Sequence, residues 1–328
     1  MIPPALRRFC LMSLVAAAVG GCAAPSAQPT AAPATPSQST AAPVVATPAA
    51  PAQPTAVPAP VAQRWEADPV LVTLYTSPGY TTPAIAWSLL PDLVVYADGT
   101  VILVSYDDAG MLGRIVESAR VPEAEVCALL RGIEANGFFE YDAAGYVKPG
   151  ITDNGSTLIA VDAWRSNRAD LYALDYALSA PDYGQGPEVP SALADTYRML
   201  GDYTPHDLAP YQPERVGLLV GRPGEFVDTG VDRPWPASTV ALTEVLTQGF
   251  DAGYGPELIL EGERAAEVYA LFARDAIQFY SEGGQTYQVS VRPLLPLEIA
   301  ETPSAGWGHV PAFEDAPARE LACAAGER

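Results

Sequence analysis

The chain has 328 residues, with 18 basic and 39 acidic side chains and a formal net charge of −21. All the acids lie from Glu66 onward, so residues 64–328 set 16 basic against 39 acidic side chains, a formal −23. A surface so acidic repels phosphate backbones and anionic headgroups, which excludes DNA, RNA and lipid-headgroup binding by this part. It is long enough for one large domain or two small ones with a sizeable core.

Arg7 and Arg8 form a short positive region, followed by an apolar run over residues 9–19 and then Gly20, Gly21 and Cys22. Eleven apolar residues are too few for a permanent span. The three-part form is that of a signal peptide. The segment Val19-Gly20-Gly21-Cys22 resembles the lipobox of bacterial lipoproteins: an aliphatic residue, two small ones, then cysteine. The resemblance implies a signal peptide over residues 1–22 ending at Cys22, with Cys22 bearing the lipid; Leu is commoner where Val19 stands. The competing reading is ordinary cleavage near Ala23-Ala24, which releases a secreted protein.

Residues 23–63 contain only Ala, Pro, Thr, Ser, Gln and Val, and ten of these 41 residues are proline. Such a segment cannot bury enough apolar surface to offset its ordering entropy. The composition implies a disordered tether, biased to polyproline-like extension. Fully extended, at about 3.1 Å per residue, it reaches roughly 127 Å.

The expected folded part spans residues 64–328 and opens with a strand at 70–75. A hairpin follows, with strands at 93–96 and 101–106 joined through Asp98-Gly99. Another strand is expected at 113–121. Pro122 then opens a helix, with Glu123 and Glu125 in its first turn and Val126, Leu129, Leu130 and Ile133 on one face. Asn136-Gly137 ends it. A second hairpin is expected with strands at 157–163 and 169–176. A helix at 190–200 should turn Leu193, Tyr197 and Leu200 inward and stop at Gly201. Strands are expected at 215–220 and 257–260, while 238–248 reads equally as helix or extended chain. A helix at 262–273 presents Ala265, Val268, Tyr269 and Phe272 on one face. Strands at 277–280 and 286–291 close a third hairpin around Gly283-Gly284. The fold class is therefore α+β, antiparallel hairpins with packed helices. Helix-then-hairpin occurs at 122–176 and again at 262–292, which suggests two related halves.

Several local features resemble a set of uncharacterised exported bacterial lipoproteins. They are Tyr96-Ala97-Asp98-Gly99, Ile151-Thr152-Asp153, Trp235-Pro236, the helix opening at Gly262, and Gly283-Gly284-Gln285-Thr286-Tyr287 leading into Arg292-Pro293-Leu294-Leu295-Pro296. The resemblance covers most of residues 90–298 and implies an exported α+β domain. It implies no activity.

After removal of the leader the cysteines are Cys22, Cys127 and Cys323. In an oxidising compartment Cys127 and Cys323 are the natural disulfide pair; the alternative is two free or buried thiols. The two histidines, His206 and His309, lie in loop sequence, and no G-x-S-x-G elbow is present, so no catalytic triad is legible. Too few Cys and His exist for a zinc site. Asp153, Asp162, Asp170 and Asp175 surround the second hairpin and could supply a glycosidase-like acid and base, or simply face water. Asp107-Asp108 and Asp153-Asn154 are oxygen-rich turns of the kind that suit calcium, without the spacing of an EF-hand. Trp235, between two prolines, and Trp307, between two glycines, are candidate ligand-binding platforms, with Tyr80 after Pro78-Gly79 a weaker one; the alternative is that these rings plug the core.

These features lead to an expected lipid-anchored protein on the extracytoplasmic face of the cell membrane, with no cofactor, no metal and no assigned catalytic residue. Its expected work is binding or structural, with an envelope glycan or protein as partner. One alternative is a carboxylate-based hydrolase of envelope polymer or peptide; another is a partner of an exported protein, joined through an open sheet edge.

Overall fold

The computed structural model of the protein describes residues 69–106, 113–142, 146, 150–179, 189–222, 233–237, 240–245, 258–299, 312–313, 321 and 323. All belong to one compact unit, Val61–Arg328. In chain order the elements are β1 (Val70–Thr76), α1 (Pro83–Ser88), β2 (Leu93–Tyr96), β3 (Thr100–Tyr106), β4 (Arg114–Arg120) and α2 (Glu123–Ala135). A short 3-10 turn at Phe138–Glu140 precedes β5 (Ser156–Asp162), β6 (Ser166–Tyr172), α3 (Leu174–Ser179), α4 (Ser191–Asp202) and β7 (Ala209–Pro210). The rest are β8 (Arg215–Gly221), α5 (Leu242–Val245), β9 (Leu258–Glu261), α6 (Gly262–Leu271), β10 (Ile277–Glu282) and β11 (Gln285–Pro293).

Among the described residues these strands form two antiparallel sheets, one of seven strands in the order β6-β5-β1-β2-β3-β4-β7 and one of four in the order β10-β11-β8-β9. The fold is α+β. The strand β1 pairs with β2 on one side and β5 on the other, and its five central residues are all buried. Its nearly unbroken apolar sequence follows from cover on both faces. The strand β2 shows the division most simply: Leu93 and Val95 enter the core under α2 and α4, while Val94 and Tyr96 enter a second core on the opposite face. Side chains of period two put alternate residues on alternate faces.

The hairpin from β2 to β3 is fixed by its turn. Asp98 accepts from the Thr100 N–H at 2.8 Å and from the Thr100 hydroxyl at 2.9 Å, and it pairs with Arg120 at 3.2 Å. Gly99 sits at φ +88°, and a Cβ there would stand 2.2 Å from the Val121 carbonyl oxygen, so only glycine fits. The helix α2 buries Val126, Leu129, Leu130 and Ile133, and Pro122 is its N-cap. On the smaller sheet, α6 buries Ala265, Val268 and Tyr269 beside Phe272.

Two expectations need correction, and two open readings gain detail. The strand β6 ends at Tyr172, because Ala173 turns to φ +57° and α3 begins at Leu174. Gly201 lies inside α4, which continues to Asp202. In the ambiguous 238–248 stretch, the described helix is the single turn Leu242–Val245. The two helix–hairpin units also differ in connection. After α2 the chain returns to β5 beside β1 and then to the outer β6, whereas after α6 it runs first to the outer β10 and then to β11 beside β8.

The sheets meet through buried charge. Arg114 and Arg292 are each 1% exposed and Glu298 is fully buried. Arg292 pairs with Glu298 and donates from Nε to the Leu89 carbonyl at 3.3 Å. Arg114 donates to the Ser88 carbonyl at 3.0 Å and to the Val291 carbonyl at 2.6 Å, joining the end of α1 to β11. Glu298 accepts from the Leu295 N–H at 3.0 Å, and Arg215 donates to the Glu298 carbonyl at 2.9 Å. The phenols of Tyr96 and Tyr211 donate to the carbonyls of Pro296 and Leu294. The segment after β11 is thus held against the outer face of the larger sheet. Burial lowers the Arg114 guanidinium to about 10, and Arg292 pushes the same way.

Cys127 on α2 and Cys323 form a disulfide, with Cα atoms 5.6 Å apart and a sequence separation of 196. Arg131, one turn further along α2, donates to the Cys323 carbonyl at 2.9 Å, and Leu321 is buried in the core beneath. Residues 321 and 323 are pinned to α2 by a covalent bond, a hydrogen bond and an apolar anchor.

Candidate functional site

A cleft of about 200 Å³ opens at the end of β1. One wall is the chain leaving β1, residues 76–79. The other is Asn154 and Gly155 entering β5, with Thr157 behind them and Leu174 and Asp175 of α3 at the side. Pairing of Thr76 with Thr157 sets the two walls opposite each other.

The walls are locked by backbone contacts. Ser77 extends the ladder past the end of β1: its N–H donates to the Ser156 carbonyl at 2.8 Å, and its hydroxyl accepts from the Ser156 N–H at 3.0 Å. The same hydroxyl donates to the Ser156 carbonyl at 3.1 Å. A Cβ on Gly79 would lie 2.0 Å from the Asp153 carbonyl oxygen, and one on Gly155 would lie 2.0 Å from the Ser77 carbonyl oxygen. The two loops touch main chain to main chain, which only glycine permits. Behind them the Tyr172 hydroxyl donates to the Ile151 carbonyl and accepts from the Asn154 N–H, both at 3.1 Å. Tyr146 donates to the Tyr172 carbonyl at 3.0 Å, and burial pushes its phenol up to about 12.

Two non-glycine residues at positive φ flank the cleft, Asp153 at +59° and Ala173 at +57°. Such backbone costs about 1–3 kcal/mol and persists where surrounding contacts impose it, a pattern common at binding sites. Here the contacts that surround them are the same ones that build the walls.

The chemistry available is hydrogen bonding. Ser77 is committed to the backbone on both sides of its oxygen, which leaves it without the partner a nucleophile requires. Asp175 is the carboxylate among the lining residues, and its Oδ1 accepts from the Tyr197 hydroxyl. The Asn154 Oδ1 accepts from the Gly155 N–H at 2.8 Å. No hydrogen bond among the described residues occupies the Asn154 Nδ2 or the Asp175 Oδ2. The first is a donor and the second an acceptor. Tyr80, directly after the lining Gly79, is 77% exposed.

Three features that stood apart in the sequence meet here: Pro78-Gly79, Asp153-Asn154, and Asp175. Sequence reasoning missed Ser77, Gly155 and Thr157. The one available signal was the pair of dipeptides Pro78-Gly79 and Asn154-Gly155, both turn formers. Asp162 and Asp170 lie elsewhere, exposed on the β5–β6 hairpin. Asp162 pairs with Ser166 and Asp170 with Leu158, a stagger of four residues or roughly 13 Å along the strands.

Trp235 is half-buried. Its ring packs edge-on against Tyr280 at 4.9 Å between centroids and lies 6.4 Å from Phe272, while its indole N–H donates to the Val240 carbonyl at 2.7 Å. Its backbone N–H donates to the Ser281 carbonyl at 2.9 Å, so its segment runs along the edge of β10. His206 is exposed in the loop after α4. Trp307, His309, Asp107, Asp108, Cys22 and the leader and tether, residues 1–63, lie outside the described residues. Among the described residues no three His, Cys, Asp or Glu side chains cluster so as to hold a metal ion, and no helix is long and apolar enough to cross a membrane. Set against known protein families, curated proteins and solved structures, the chain finds no match in any of the three.

Proposed function

We propose that this chain is a lipoprotein of the cell envelope, cleaved before Cys22, lipidated there, and carrying a binding domain on the tether of residues 23–63 at the extracytoplasmic face of the membrane. The observation that carries the reading is the Cys127–Cys323 disulfide. Such bonds form and persist in oxidising compartments and are rare in the cytosol. The lipobox-like Val19-Gly20-Gly21-Cys22 and the uncharged, proline-rich tether support the same address.

The binding role rests on the cleft at the end of β1. It is lined by one carboxylate, its walls touch main chain to main chain, and its serine is held by the backbone. The hydrolase alternative has less support. Paired glycosidase carboxyls stand about 5–9.5 Å apart, a separation that the stagger of Asp162 and Asp170 exceeds.

The test is Cys22→Ala followed by fractionation of the producing cells and a mass measurement of the mature chain. The expected result is a shift from the membrane fraction to the soluble extracytoplasmic fraction, with loss of acyl mass. Retention of the variant in the membrane fraction refutes the anchor.

A further inference from the structure

We propose that Asn154 is a site of spontaneous covalent modification, where the fold promotes conversion of the asparagine through a cyclic imide to aspartate or isoaspartate. This goes beyond the binding role above and depends on neither the anchor nor a ligand.

The chain holds three asparagines, and two of them, Asn136 and Asn154, stand directly before glycine. The reaction joins the main-chain nitrogen of the following residue to the side-chain carboxamide carbon. It is favoured by a following residue with no Cβ to obstruct the ring, and by a nitrogen held in contact with the carboxamide. Asn154 has both. The Gly155 N–H donates to the Asn154 Oδ1 at 2.8 Å, so the carbon under attack lies one bond from an atom already touching the nitrogen. The contact is held from several sides. The Asn154 N–H donates to the Tyr172 hydroxyl at 3.1 Å, the Gly155 carbonyl accepts from the Ala173 N–H at 2.7 Å, and Gly155 packs against the Ser77 carbonyl. Asn154 and Gly155 are half-buried beside the exposed Asp153, so water and hydroxide reach them.

Each of the other two asparagines lacks one requirement. At Asn136, the C-cap of α2, the Gly137 N–H is taken by the Glu134 carbonyl at 2.8 Å, and the side-chain Nδ2 is turned to the Met199 Sδ at 3.9 Å. At Asn167 the contact is present, the Arg168 N–H donating to the Asn167 Oδ1 at 2.8 Å, but the next residue carries a side chain, and the Asn167 Nδ2 donates to the carbonyls of Phe138 and Tyr141. At Asn154 the step balances with water alone. Hydroxide takes the Gly155 amide proton, the nitrogen bonds to the Asn154 Cγ, and the Cγ–Nδ2 bond breaks, releasing ammonia that takes its proton from water. Water then opens the ring at one of its two carbonyls. Opening at Cγ leaves aspartate, and opening at the main-chain carbonyl leaves isoaspartate, whose main chain is longer by a methylene. Either product adds a carboxylate to a lining that already holds Asp175. The longer main chain also meets a wall where a Cβ on Gly155 would lie 2.0 Å from the Ser77 carbonyl oxygen.

The experiment incubates the full mature chain in detergent at mildly alkaline pH, one sample folded and one in urea, in water enriched in heavy oxygen. Peptide mass spectrometry follows all three asparagines, and fragmentation separates aspartate from isoaspartate. In the folded chain Asn154 should convert at least about tenfold faster than Asn136 or Asn167. In urea the contact is gone and glycine alone decides, so Asn154 and Asn136 should agree within about threefold while Asn167 stays slow. The proposal is overturned if Asn136 or Asn167 converts as fast as Asn154 in the folded chain. It is overturned equally if Asn154 stays intact in the folded chain while the urea sample converts. The same lead for Asn154 in urea as in the folded chain also overturns it, because the fold then plays no part.

Discussion

Glu298→Gln should cost this domain a large part of its stability. Glu298 is fully buried and Arg292 is 1% exposed, so neither charge can turn to water when its partner is lost. Glutamine keeps a carbonyl oxygen that can still accept from the Leu295 N–H. The substitution therefore removes charge and little else. It leaves Arg292 buried without its carboxylate and near a second buried guanidinium, Arg114. Removing one partner of a buried pair costs about 3–5 kcal/mol. For a domain of this size each kcal/mol moves Tm by about 2–4 °C, so the drop should be roughly 6–20 °C. The double variant Arg292→Met/Glu298→Gln has no uncompensated charge and should recover at least half of the loss, because apolar replacements of buried ion pairs are often neutral or better. Urea unfolding is the assay, with a fall in the midpoint at unchanged m-value. A loss below about 1 kcal/mol for Glu298→Gln, or a double variant as damaged as the sum of the single ones, refutes the reading of the junction as a buried, mutually dependent pair.

Other perturbations test the remaining structure. Cys127→Ser/Cys323→Ser opens a loop of 196 residues, and on the chain-entropy model the cost is about 5 kcal/mol; wild-type protein in reductant should fall to the same urea midpoint, and unequal midpoints count against the bond. Gly155→Ala drives a methyl group to 2.0 Å from the Ser77 carbonyl oxygen and should cost about 1–3 kcal/mol, whereas Gly150→Ala meets nothing within 4 Å and should stay within about 0.5 kcal/mol of wild type. Burial raises the phenols of Tyr96, Tyr106, Tyr211 and Tyr269, and that of Tyr146 to about 12. The stability these neutral phenols contribute is whole below the ordinary tyrosine value of about 10 and is lost as pH rises through the raised values. Tyrosinate absorbance should therefore rise in one cooperative step with loss of fold on the alkaline side, and a gradual non-cooperative rise refutes it.

The parts of this structure that could be read from sequence are those that local chemistry decides. Asp98-Gly99 sets a turn through its own side chain and its own φ, and the apolar faces of α2 and α6 follow from spacing alone. The break after Tyr172 depends on Ala173 taking a positive φ, which no propensity favours; its N–H is drawn to the Gly155 carbonyl at 2.7 Å. The cleft was legible only in pieces. Pro78-Gly79 and Asn154-Gly155 each read as turns, but the contact between them is a product of β1 pairing with β5, across some eighty residues. The charged junction was hidden for a related reason. In β11, alternation would set Ser290 and Arg292 towards water while Val289 and Val291 face the core, yet all four are buried. The second face is covered by α1 and the larger sheet, a long-range arrangement that no window along the chain contains.

That junction also decides how the two helix–hairpin units relate. Each has its own apolar core, one under α2 and α4, the other under α6. By core alone each could be expected to fold separately. The polar groups between them say otherwise. In a chain cut after residue 212, Arg114 would lose the Val291 carbonyl, Tyr96 and Tyr211 the carbonyls of Pro296 and Leu294, and the apolar face they share its cover by Leu295. Each lost hydrogen bond costs about 0.5–1.5 kcal/mol net, and the uncovered apolar surface adds roughly 25 cal/mol per Å². The fragment also loses the Cys323 and Leu321 anchors on the α2 side. Set against a total stability of about 5–15 kcal/mol, these losses leave no folded fragment. Residues 64–212 expressed alone should lack near-ultraviolet circular dichroism and a cooperative urea transition. A fragment that unfolds cooperatively would show that the two sheets are domains in contact, and that the buried arginines are an interface rather than part of a common core.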